Sequence, residues 1–239
     1  MAATRPLRLV YFAVRAKAEP CRMILEHGGV PYVDVSVQQQ FNKPWPEVKR
    51  QGLVPFGQLP VLDVGDGELV AQEAAICRYC ADLVPGLLPS DSLERAKCEA
   101  LFHAAEELFV CNPLVNVYRG EDFEGKKREF LDNVLPRRLR NFARILRDSG
   151  GPFTMGRSPN YADFKWYHHL SNVSLLEDGA LKASLGSEEA SLHDAVVAFM
   201  AAVEGLEGVG EYLRRRPKAV DVGTKPMLDP PICGSRFQE

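Results

Sequence analysis

The hydrophobic pattern along the chain changes character once, near residue 90. Before that point short apolar runs alternate with amphipathic stretches. Residues 7–12, "LRLVYF", predict a strand, and residues 16–28 predict a helix closed by Gly28-Gly29. "PYVDVSV" at 31–37 alternates strictly and predicts a second strand. Residues 38–54 are polar with interspersed Pro and Trp, and predict a loop. "QLPVLDVGDGELV" at 58–70 places two apolar runs around Gly65-Asp66-Gly67, the pattern of a hairpin. Residues 72–83 predict a helix stopped by "VPGLLPSD" at 84–91.

From Ser92 onward no strand pattern appears. Helices are predicted at 92–118, 124–148, 160–177, 188–203 and 206–215, with "SGGPFTMGRSPN" (149–160) as a connecting loop. "NYAD" at 160–163 puts Asn at a cap and Asp three residues later, a capping-box variant. The expected organisation is an α/β half over 1–84 in the order β-α-β-loop-β-β-α, a Pro/Gly linker at 85–91, an all-helical half over 92–217, and an irregular tail at 218–239 that carries prolines without a helical period.

Composition narrows the function classes. A net charge of −3 gives no case for nucleic acid, and no basic run suggests an anionic membrane surface. No apolar run approaches the length of a membrane span. The opening "MAATRPLRLVYF" lacks a signal-peptide core, because charge returns at Arg8. The six cysteines (21, 77, 80, 98, 111 and 233) show no paired metal spacing. Cys77 and Cys80 form a C-x-x-C inside a helical pattern rather than at its start, which reads as two buried small side chains rather than a redox pair. Reduced thiols and no export signal give a cytoplasmic expectation. His168 and His169 are adjacent, so a helix turns them about 100° apart; no metal site is expected.

Candidate chemistry begins at "VYFAVRAKAEPCR" (10–22), where an apolar strand ends on Tyr11 and the chain restarts as a helix after a short basic loop. A helix N-terminus offers free N–H groups to a ligand, and a tyrosine hydroxyl there faces the same space. This stretch alone favours reading Tyr11 as a packed residue with a wet tip.

Taken in order, "YFAVRAKAEPCR" (11–22), "WPEVKR" (45–50), "LVPFGQLPVL" (53–62), "AQEAAICRY" (71–79) and "GRSPNYADF" (156–164) resemble the cytosolic glutathione transferases. The likeness is strongest to their sigma class, which includes haematopoietic prostaglandin D synthase. The resemblance runs to about Pro217. It implies a thioredoxin-like N-terminal domain (βαβ-ββα), an all-α C-terminal domain, glutathione as co-substrate and a homodimer. It makes Tyr11 the residue whose hydroxyl donates to the glutathione sulfur and favours the thiolate, the nucleophilic form. It implies a cis-proline turn at Gln58-Leu59-Pro60, with the Leu59 backbone pairing with the cysteinyl unit, and Trp45 and Lys49 at the glycyl end. Gln72-Glu73 falls where the family holds the γ-glutamyl carboxylate, but the family has Ser at the second position and a Glu side chain would repel a carboxylate. Lys17 replaces a common Arg, keeping the charge and losing the planar fork. Of Glu106-Glu107, Glu107 is the better match to a carboxylate that reaches the neighbouring subunit's ligand. Phe12, Val14, Phe109 and Leu114 are the expected lining of an apolar pocket for a small hydrophobic electrophile. Asn160 and Asp163 match the family's capping box. The implied activity is conjugation; a glutathione-dependent isomerase or lyase, and a non-catalytic crystallin-like or ligand-binding protein on the same fold, stand as alternatives.

Overall fold

A computed structural model describes residues 6–118, 120–186 and 190–229. The first strand, β1 (Leu7–Val10), leads through a 3-10 turn at Ala16–Ala18 into α1 (Glu19–His27), which closes at Gly28 as expected. β2 (Tyr32–Val35) follows, then two short helices, α2 (Val37–Phe41) and α3 (Trp45–Arg50), in the stretch expected to be loop. The reason for the first is local: Ser36 and Gln39 form a reciprocal capping box, satisfying two free N–H groups at the start of α2. For the second, Pro44 and Pro46 fix φ at the start of a helix, where the missing N–H has no partner to lose.

β3 (Val61–Asp63) and β4 (Leu69–Ala71) form the predicted hairpin, and α4 (Glu73–Asp82) follows at once. The sheet order is β2-β1-β3-β4, with β1 parallel to β2 and antiparallel to β3. This is the thioredoxin-like arrangement. The period-2 alternation of the strands divides two apolar layers. Leu9, Tyr32 and Leu62 face α1 and α4 in the main core. Val10, Val33, Val35 and Val61 face the other way and pack with Val37, Val48 and Val54 beneath α2 and α3.

The rest of the chain is helical up to Arg215: α5 (Ser92–Ala104), α6 (Cys111–Asn116), α7 (Phe123–Glu129), α8 (Leu135–Asp148), α9 (Tyr161–Leu176), α10 (Ala180–Leu185), α11 (Ala190–Glu204) and α12 (Val209–Arg215). Two predicted long helices are broken. Between α5 and α6 the chain tightens into a 3-10 turn at Ala105–Leu108, and α6 restarts with Pro113 in its first turn; the Phe109 carbonyl, which Pro113 cannot serve, accepts instead from the Asn112 N–H at 2.8 Å. Between α7 and α8 it widens into a π-helical turn at Phe130–Val134, where Pro136 removes the next bond of the ladder. α10 was not expected. Nor was the ribbon of β5 (Lys218–Val220) and β6 (Met227–Asp229), which pair antiparallel within the segment read as irregular. Cys233 and the start of the helix expected at 188 lie outside the described residues.

α9 is the central helix of this half. The capping box predicted from "NYAD" is present: Asn160 accepts from the Ala162 N–H at 3.0 Å, and Asp163 accepts from the Asn160 N–H at 2.8 Å. Asp163 also accepts from the Thr154 N–H at 3.1 Å and its hydroxyl at 2.6 Å, fastening the preceding loop. Every residue from Tyr161 to Leu170 is buried, so α9 has no solvent face over that span.

Candidate functional site

Tyr11 is the first residue past β1, and its N–H donates to the Val35 carbonyl at 3.2 Å, extending the β1–β2 ladder by one bond. The side chain is buried. Burial pushes the phenol pKa up and the nearby Glu73 charge adds to this, while the Lys17 backbone N–H and the Arg22 and Lys17 charges act the other way. The net rise keeps the hydroxyl protonated near neutral pH, which makes it a hydrogen-bond donor. The chain then turns back through Ala16, whose φ of 35° is unusual for a residue with a Cβ, and so brings Lys17 beside Tyr11 at the head of α1.

Across the sheet, the Leu59–Pro60 peptide is cis. The Gln72 amide donates to the Gln58 side-chain oxygen at 3.0 Å, tying this turn to the junction between β4 and α4. Gln72 has φ 73° and its side chain does not cap α4, so the first N–H groups of that ten-residue helix receive no side-chain cap. They border a cleft of about 490 Å³. Trp45, Gln58, Leu59, Pro60, Gln72 and Glu73 line it from the sheet half; His103, Glu106 and Lys165 line it from the helices, with Lys17 between. Lys49 is exposed on the last turn of α3, its methylenes beside Gly57 at the cleft's edge.

Glu73 does not point to solvent. It is buried, with Oε2 3.3 Å from Lys165 Nζ and 3.5 Å from Lys17 Nζ. The same two ammonium groups bind Glu106, Lys17 at 2.7 Å and Lys165 at 2.6 Å. Two cations and two anions therefore alternate around a closed ring. Burial raises the Glu73 carboxyl above its ordinary range, against the opposing pull of Lys165 and Lys17. For Glu106 burial also acts upward, but hydrogen bonds from Lys165 and Lys17 outweigh it and the net shift is down. Lys17 is the mirror case: burial acts downward, and the Glu106 bond and Glu73 charge carry its pKa above the ordinary value.

Of the expected glutathione-binding set, the cleft brings together Lys17, Trp45, Gln58, Leu59, Pro60, Gln72 and Glu73. Glu107 points elsewhere within its own chain and pairs with Arg138 on α8; its neighbour Glu106 is the one in the cleft. The expected electrophile lining does not converge. Phe12 is exposed and contacts Tyr11 (ring centres 5.6 Å apart) and Trp45 (5.9 Å, edge-on). Val14 is half-buried and packs against the main core. Phe109 lies under the Lys17 ammonium, 4.2 Å from its ring centre. Leu114 is buried in a separate apolar groove of about 500 Å³, with Val110, Tyr118, Phe130 and Val134.

Two site residues, Lys165 and His103, were not anticipated. Lys165 had a legible signal: it is a lysine in a helix with no polar face, and a lysine is buried only with a carboxylate partner. The C-x-x-C pair is buried, its thiols pushed well up by burial and neighbouring thiols; Cys80 Sγ is 3.5 Å from Cys21 Sγ.

The family profile described as the N-terminal domain of glutathione S-transferase matches residues 16–83, and that of the C-terminal domain matches residues 110–216. A glutathione S-transferase of Anopheles gambiae is 31% identical over 179 residues, covering 72% of this chain and 84% of that one. The haematopoietic prostaglandin D synthase of Gallus gallus is 29% identical over 212 residues, covering 88% and 96%. The crystal structure of the Ascaris lumbricoides glutathione S-transferase superposes with a TM-score of 0.69 at 26% identity, covering 89% of this chain and 98% of that chain. Fold, cleft and likeness across both halves agree: the chain belongs to the glutathione S-transferase family.

Proposed function

We propose that this protein activates glutathione as a thiolate and directs it at small hydrophobic electrophiles. Glutathione is the family's co-substrate. The observation that carries the reading is the uncapped amide end of α4 opening into a cleft lined by Lys17, Trp45 and Leu59. The protonated Tyr11 phenol is not itself in that lining and adjoins it through Lys17, whose backbone N–H bonds the phenol. An extended tripeptide fits this arrangement. Its γ-glutamyl carboxylate meets the α4 amides, its cysteinyl backbone lies along Leu59, and its glycyl carboxylate meets Trp45 and Lys49. The Tyr11 hydroxyl donates to sulfur, lowering the thiol pKa, and the cleft fixes the nucleophile beside the electrophile. Of the apolar candidates, Phe12 adjoins Tyr11 and is open to solvent, so the electrophile packs there.

The reading extends to a sigma-type, cytoplasmic homodimer with a role in detoxification. The exposed Phe56 ring (77%), held on the turn before Gln58, is the apolar feature that a two-fold contact would cover. Sedimentation at micromolar protein tests the dimer, and a monomer with full activity counts against it.

Retention on immobilised glutathione, elution by free glutathione, and conjugation of chlorodinitrobenzene together test the transferase reading. No retention and no conjugation contradict it and favour a non-catalytic role. The likeness to a prostaglandin D synthase over most of both chains supports a second reading, a glutathione-dependent isomerase. Turnover of a substrate without thiol consumption separates it from conjugation.

A further inference from the structure

The first residue of α4 is a glutamate, at the end of the helix that the proposed function assigns to a carboxylate. Left alone, its charge would oppose that ligand group. Two ammonium groups meet the Glu73 carboxylate, and they are not equivalent. Lys17 is 32% exposed, so water screens it. Lys165 is 3% exposed and cannot move away. Its helix is buried on all sides over Tyr161–Leu170, its ammonium lies 4.3 Å from the centre of the Phe102 ring, and Glu106 holds it at 2.6 Å.

We infer that Lys165 is the positioning residue that makes a glutamate compatible with this cleft: its buried ammonium cancels the Glu73 charge and holds that carboxylate toward α9, leaving the α4 amides free to take the γ-glutamyl carboxylate. The inference rests on the glutathione reading. It departs from a purely structural ion pair in one respect: loss of Lys165 is felt only by a ligand bearing that carboxylate. Removing the buried partner leaves the Glu73 charge compensated only by the partly exposed Lys17, and its remainder acts on whatever lies nearest.

Calorimetry with two ligands tests it: glutathione, and γ-aminobutyryl-cysteinyl-glycine, which lacks only the γ-glutamyl carboxylate. Lys165→Met should weaken glutathione at least about tenfold and leave the analogue within about twofold. Adding Glu73→Gln to Lys165→Met should bring glutathione affinity back to that of Glu73→Gln alone, and Lys165→Arg should bind like the parent. Equal losses for both ligands, or no loss, overturn the inference. So does a loss that persists in the Glu73→Gln background, since Lys165 would then act on the ligand directly. If Lys165→Met alone does not fold, Glu73→Gln and the double variant carry the test. Equal glutathione affinity supports the inference, and a gap of about tenfold overturns it. A parent protein that binds neither ligand at millimolar concentration overturns the glutathione reading and this inference together; a parent that binds glutathione while the variants fail these comparisons overturns only the inference.

Discussion

Tyr11→Phe removes one hydroxyl from a buried side chain and leaves the ring packed against Phe12. The γ-glutamyl and glycyl ends of glutathione are held elsewhere in the proposed pose, so its affinity should change little. The thiolate loses a hydrogen bond to a charged group, a loss of about 1.5–3 kcal/mol, so conjugation near neutral pH should slow by about one to two decades. Steady-state kinetics with saturating glutathione reads this; a rate within about twofold of the parent would remove Tyr11 from the chemistry. Charge is harder to read from sequence than this hydroxyl. Glu106 and Glu107 are consecutive, and neither composition nor spacing says which faces the cleft. The 3-10 turn at Ala105–Leu108 decides it, turning Glu106 to Lys17 and Lys165 and Glu107 to Arg138. Lys165 was missed for the opposite reason. Its signal lay in the helix around it, not in a motif.

At the scale of elements, the α9 cap is the junction on which the position of Lys165 depends. Asp163 is fully buried and accepts four hydrogen bonds, from the Thr154 and Asn160 N–H groups, the Thr154 hydroxyl and the Asn160 amide. Asp163→Ala leaves those donors unpaired and should cost upwards of about 3 kcal/mol, because each buried orphan costs about 1–3 kcal/mol and relaxation recovers only part. Urea unfolding would measure it, and a loss below about 1 kcal/mol would contradict the assignment. A different constraint acts at Gly208, which starts α12 with φ 75°. A Cβ there would lie 2.0 Å from the Glu26 carbonyl oxygen, a backbone atom. Gly208→Ala must displace α1 or α12 and should destabilise by about 2 kcal/mol or more. Alternation and turn chemistry made the four strands and the hairpin legible, and "NYAD" made the α9 cap legible. The breaks in the long helices were not, because Pro113 and Pro136 sit inside runs whose apolar periodicity continues across them. Whether such a proline ends a helix, tightens it or widens it depends on what the flanking turns pack against.

For the whole molecule, buried charge joins the two halves. Glu19 on α1 accepts from Arg22 at 3.1 Å, from Arg216 at 2.6 Å and from the Tyr212 hydroxyl at 3.0 Å, which clasps α12 to the sheet half. Burial opposes ionisation of Glu19, but the Arg216, Arg22 and Arg15 charges hold its pKa down at about 2. The histidines behind the site behave differently. His169 is buried edge-on to Phe109, and neither ring nitrogen has a hydrogen-bond partner among the described residues. Burial, with the Lys165 and Lys17 charges, pushes its pKa well below 6.5, and burial lowers that of His168 to about 3. Both are neutral in the folded chain and take a proton on unfolding below pH 6.5. Stability that is present above that pH is therefore lost as pH falls through it toward the folded pKa. Asp163, raised to about 6 by burial, works in the opposite sense between its unfolded value of 3.8 and 6. Comparing His169→Phe with the parent isolates one histidine. The variant's relative stability should grow by about 1.4 kcal/mol for each pH unit between 6 and 4.5. A difference that does not change with pH would show that His169 is not buried neutral.

The central claim is that Tyr11 turns bound glutathione into a thiolate, and the most direct measurement is the ultraviolet thiolate absorbance of the glutathione complex titrated against pH. In the parent protein the absorbance should rise at least about one pH unit below the titration of free glutathione, a difference of about 1.4 kcal/mol. In Tyr11→Phe it should return most of the way to the free value. A parent complex that titrates like free glutathione, or a Tyr11→Phe complex that titrates like the parent, would contradict the account.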